Sequence, residues 1–104
     1  MHYPSVRPDR TSPAPEDIEV GLTVVGDVRV RCLFDPDWGS VICLRIAPGE
    51  LAQYLGVVAG IETDGPNLYL AEAQRWRLPT PEHRQTLRRN VIDLYRRWRE
   101  QMTG

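Results

Sequence analysis

From Ile18 onward, apolar residues recur at every second position: Ile18, Val20, Leu22 and Val24, then Val28, Val30, Cys32 and Phe34, with Arg29 and Arg31 between them. A period of two is that of a strand with one buried face. Gly26-Asp27 separates the two runs. Its leading glycine accepts the positive φ of a type II′ turn, so the segment reads as a β-hairpin. Asp35-Pro36-Asp37-Trp38-Gly39 forms a second turn, and Val41–Ile46 is almost continuously apolar, as expected of a central strand covered on both faces. Ala47–Gly56 reads as a turn entering a short helix, with Leu51, Tyr54 and Leu55 on one side and Gly56 as its stop. Val57–Ile61 and Leu68–Arg77 read as two further strands joined through the turn residues Asp64-Gly65-Pro66-Asn67.

The pattern then changes to a helical one. Thr80 suits an N-cap, Pro81 the first helical position, and Glu82 the positive end of the helix dipole. Leu87, Val91, Leu94, Tyr95, Trp98 and Met102 follow on one stripe, which predicts an amphipathic helix over about 81–102 that covers one face of a sheet. The expected fold class is α+β: an antiparallel meander of about five strands, a short helix, and a C-terminal helix packed on one face. Before Ile18, Pro4, Pro8, Pro13 and Pro15 stand among polar residues without apolar periodicity. Residues 1–17 therefore read as a flexible Pro-rich arm and residues 18–104 as a single α+β domain.

Composition fits that picture. With 104 residues, 41% hydrophobic and 26% charged, the chain suits one globular domain and is too apolar for a disordered one. No apolar run approaches a membrane span and no signal-like apolar stretch follows Met1, so a soluble, unexported, cytoplasmic protein is expected. Its two cysteines, Cys32 and Cys43, are too few to staple a secreted mini-protein. A four-residue loop between their strands places them directly opposite one another, whereas a five-residue loop shifts the pairing by one. In an unexported protein, reduced and half-buried thiols are the expectation, with a cross-strand disulfide as the alternative.

Candidate chemistry is sparse. His2, Cys32, Cys43 and His83 are zinc-type ligands, but none has a partner at close spacing, so no metal and no cofactor are expected. Cys32 or Cys43 with His83 and Asp93 is the conceivable nucleophilic set, yet nothing in the sequence brings these residues together. No catalytic residue is assigned, and the chain is read as a non-enzyme.

Charge is the more informative feature. All thirteen cationic side chains are arginine, and residues 1–72 carry a net charge of −6 against +5 for residues 73–104. The acidic half offers a partner-binding surface at Asp35, Asp37, Trp38, Glu62 and Asp64, where an aromatic plate within an acidic rim suits a basic protein partner. The basic half offers an alternative. Arg88, Arg89 and Arg96 belong to a helix whose arginines could meet the phosphates of a nucleic acid. The open edges of the meander could also pair two copies into a homodimer.

A stretch such as Gln74-Arg75-Trp76-Arg77-Leu78-Pro79-Thr80-Pro81-Glu82, closing a hairpin sheet and running into an amphipathic helix, resembles the layout of small immunity proteins of bacterial polymorphic toxin systems. The likeness covers residues 57–104 and concerns layout, so it assigns no residue a role. It implies a cytoplasmic bacterial protein that binds and neutralises one cognate toxin. The leading expectation is therefore a protein-binding module of that kind, a toxin inhibitor or antitoxin, and a small nucleic-acid-binding or regulatory domain is the alternative.

Overall fold

The two-residue pattern from Ile18 becomes β1 (Ile18–Val25) and β2 (Val28–Asp35), and the chain continues through β3 (Ser40–Ile46), β4 (Gln53–Ala59) and β5 (Asn67–Leu70). A computed structural model describes residues 15–103; most of the expected N-terminal arm lies outside them. The five strands form one antiparallel sheet in chain order. A 3₁₀ helix (Glu72–Arg77) leads into α1 (Pro81–Thr103). The architecture is the α+β meander that the sequence predicts.

Turn chemistry sets the register. Gly26 sits at φ +61°, and Val25 pairs with Val28, as a two-residue hairpin requires. Asp35 pairs with Ser40, so the second loop has four residues and Cys32 lies opposite Cys43. Both are free thiols, and both are fully buried rather than half-buried. β3 is the middle strand, and its alternating residues serve two clusters. Val41 and Cys43 join Val30, Cys32, Phe34, Leu55 and Val58 beneath α1. Ile42 and Leu44 join Leu33 and Val57 on the opposite face.

α1 follows its predicted stripe. Leu87, Val91 and Tyr95 are buried, with Ile92, Leu94 and Trp98 packed partly against the same core, while Met102 stays exposed. Burial of each large apolar side chain contributes about 1.5–3 kcal/mol, so this stripe is what fastens the helix to the sheet. The Thr80 hydroxyl accepts the His83 backbone N–H at 3.1 Å, which satisfies one of the orphan donors of the first turn.

Two expected elements differ. No helix forms over Ala47–Gly56: the chain turns at Ala47–Glu50, where the Glu50 N–H bonds the Ala47 carbonyl at 3.1 Å, and β4 starts at Gln53. The register shifts there, from Cys43–Gly56 to Leu44–Tyr54, leaving Leu55 as the extra residue of a β-bulge. A bulge breaks the two-residue period, so Leu51, Tyr54 and Leu55 acquire a spacing that imitates a helix. Gly56 is needed for close approach instead of as a helix stop: a Cβ there would lie 2.5 Å from the Tyr69 carbonyl oxygen. The last strand ends at Leu70 rather than Arg77. Residues 72–77 lack the β-branched side chains that favour strands and coil into the 3₁₀ helix.

Candidate functional site

Adjacent meander turns alternate between the two ends of the sheet, so the 35–40 turn and the 60–66 loop share one end. The C-terminal half of α1 reaches that end. There Phe34, Tyr95 and Trp98 form an aromatic triad with centroids 5.4–5.7 Å apart, and the Tyr95 hydroxyl donates a hydrogen bond to Glu62. Burial, followed by this bond and the nearby carboxylate charge, pushes the Tyr95 phenol well above its ordinary pKa.

Of the five acidic-side residues, Asp37, Trp38, Glu62 and Asp64 are exposed and Asp35 is not. Asp35 is fully buried. Its carboxylate accepts the Asp37 N–H at 3.1 Å and its backbone carbonyl accepts the Trp38 and Gly39 N–H groups, so it builds the turn and presents no acidic rim. Asp37 and Trp38 remain exposed at the tip. Glu62 is engaged by Tyr95 and by Arg99 at 3.7 Å. Asp64 lines a pocket with Arg88, Arg89 and Arg96. The acidic and basic halves of the sequence thus meet in space, because the 60–66 loop lies alongside α1.

The more extended feature is a groove between α1 and β5. Its lobes, about 480, 370 and 210 Å³ in volume, share lining residues. Arg84 and Arg88 are common to successive lobes, with Arg75 at one end and Arg89 and Arg96 at the other. Arg75 is carried here by the 3₁₀ helix. That helix is tethered through Gln74, which accepts a hydrogen bond from the Arg45 Nε at 3.3 Å and donates to Gln53 at 3.0 Å. Arg45 is itself buried and balanced by Glu50 at 3.6 Å, a placement expected of a charge only when it is paired.

β5 borders this groove as the last strand of the sheet. The Ala71 N–H bonds the Leu55 carbonyl at 2.9 Å, in phase with the Tyr69–Val57 and Asn67–Ala59 pairs. In an antiparallel ladder alternate residues turn their backbone groups inward, so Leu68 and Leu70 direct their N–H and C=O groups away from the sheet. The Pro66 carbonyl is in the same phase and accepts the Arg88 Nε at 2.8 Å. The Arg88 guanidinium therefore sits beside the open backbone edge.

The cysteines face one another in the core. Hydrogen bonding with Cys32 and burial push the Cys43 thiol up, well above the ordinary range, which disfavours the nucleophilic thiolate. His83 stands near the β1–β2 turn, its Nε2 3.9 Å from the Cβ position of Gly26, and Asp93 is exposed on α1. The structure brings neither to the thiols. Among the described residues no three His, Cys, Asp or Glu side chains cluster in a way that could hold a metal ion. His2 lies outside the described residues. No described helix is long and apolar enough to cross a membrane.

The position of the β5 edge beside the arginines of α1 and the Arg45–Gln53–Gln74 tether escape sequence reasoning. The open edge itself is expected from chain order, since the last strand of a meander has one neighbour; the tether leaves no periodic signal. Compared with protein-family models, curated proteins and solved structures, the chain has no match in any of the three.

Proposed function

We propose that this protein is a non-catalytic protein-binding module and that its contact surface is the cationic groove between α1 and β5. The observation that carries this reading is the row of arginines, Arg75, Arg84, Arg88, Arg89 and Arg96, along a strand whose outer backbone groups are open. Guanidinium groups offer planar, bidentate donors to carboxylates, so the complementary partner surface is acidic. The layout of residues 57–104 suggests the particular form: an immunity protein that binds one cognate bacterial toxin in the cytoplasm and blocks it.

A nucleic-acid ligand is the second reading, favoured by the same arginines. Against it, the outward backbone N–H and C=O groups of Leu68 and Leu70 stand at strand spacing, which suits a polypeptide segment rather than a phosphate backbone. The exposed Asp37 and Trp38 provide a smaller accessory contact at the loop end.

Co-expression tests the proposal. The product of the adjacent gene, induced alone in a heterologous bacterium, should stop growth, and this chain should restore it. Purified together, the two should form a stoichiometric complex free of nucleic acid. Restored growth without a complex, or a complex formed only through bound nucleic acid, would sink the proposal.

A further inference from the structure

We infer that β5 takes up an extended acidic segment of the partner as a sixth strand of the sheet. The inference rests on the protein-binding reading above and specifies how the partner is held. Leu68 and Leu70 present their N–H and C=O groups outward, and among the described residues no hydrogen bond uses them. An incoming strand bonds to these groups, as in other cases of β-strand addition, with specificity coming from pockets for alternate side chains.

Register defines those alternate side chains. Leu68 and Leu70 face α1 and pack partly against the core beneath it, whereas Tyr69, opposite Val57, lies on the other face of the sheet. Residues of the added strand opposite Leu68 and Leu70 therefore point toward Arg84 and Arg88, and the residue between them lies beside the half-exposed ring of Tyr69. The preferred segment carries Asp or Glu at every second position and apolar or β-branched residues between. Arg88, already fixed to Pro66 at the edge, is pre-positioned for such a carboxylate. Nucleic acid would satisfy the arginines but cannot use the outward N–H and C=O groups at strand spacing.

The test uses the folded chain and a fluorescein-labelled peptide, Thr-Glu-Val-Glu-Val-Glu-Thr, with three comparison probes: a scrambled peptide, the same peptide N-methylated at its glutamates, and a short single-stranded DNA. N-methylation keeps every charge while removing the amides that point at β5, and it requires no change to the protein. The parent peptide is expected to bind, to bind roughly tenfold more weakly when N-methylated, and to lose a similar factor in the Arg84→Glu/Arg88→Glu protein. Amide hydrogen exchange gives the second readout: bound peptide should slow Leu68 and Leu70 at least about tenfold, whereas Tyr69, already paired, should be slow throughout. Equal binding of the N-methylated or scrambled peptide, unprotected Leu68 and Leu70, or displacement of the peptide by the DNA would each overturn the inference. A toxin that binds without protecting Leu68 and Leu70 would overturn strand addition while leaving the protein-binding reading intact. A chain that binds the peptide but neither binds nor neutralises the toxin would retain strand addition and lose the immunity reading.

Discussion

At the residue scale, two buried polar groups invite direct tests. Asp35 holds the β2–β3 turn through its carboxylate and its carbonyl; Asp35→Ala keeps the carbonyl bonds but takes the carboxylate from the Asp37 N–H, and should lower unfolding stability in urea by about 1–3 kcal/mol. Exposed Asp37→Ala should change it by less than about 0.5 kcal/mol. Tyr95 carries the second test. Its folded pKa lies above the unfolded value, so the folded state holds the proton more tightly. That stabilisation is intact below about pH 10 and is lost as pH rises toward the folded pKa. In an ultraviolet titration Tyr95 should be the last tyrosine to ionise, together with alkaline unfolding, and Glu62→Gln should bring its ionisation to lower pH.

At the scale of elements, α1 and β5 depend on different forces. α1 is held by an apolar stripe, and Leu87 at its fully buried centre should cost about 2–5 kcal/mol when cut to alanine; the exposed Met102→Ala should be nearly silent in the same thermal melts. β5 depends on backbone pairing across Gly56. With a Cβ placed 2.5 Å from the Tyr69 oxygen, Gly56→Ala must push the strands apart, and hydrogen exchange should report faster opening of Tyr69 and Ala71. These elements also mark how far the sequence could be read. The hairpins, the doubly covered β3 and the start of α1 were legible because turn residues and unbroken periodicity act locally. The segment 47–56 was not, since the bulge at Leu55 erases the two-residue period; nor was the end of β5, which the alternation of Leu68 and Leu70 does not mark.

At the scale of the whole molecule, linear charge segregation is a poor guide to surface charge. The −6 and +5 halves of the chain suggest two separate faces, but antiparallel topology lays the 60–66 loop against α1, placing Glu62 near Arg99 and Asp64 among Arg88, Arg89 and Arg96. Of the candidate surface read from sequence, Asp37 and Trp38 stay exposed at the tip of the 35–40 turn. The arginines on the helix and the open edges of the meander were each legible, while their juxtaposition in one groove was not, because it depends on how α1 lies across the sheet. The groove's net positive lining makes binding there sensitive to ionic strength, and affinity should fall severalfold between about 50 and 500 mM salt.

The groove as contact surface is tested most directly by titration calorimetry of the adjacent-gene protein into three forms of the chain: unaltered, Arg84→Glu/Arg88→Glu and Asp37→Ala/Trp38→Ala. The account predicts that the groove variant loses roughly tenfold or more in affinity while keeping its fold by circular dichroism, and that the turn variant changes less. Loss confined to the turn variant, with the groove variant binding at full strength, would contradict it.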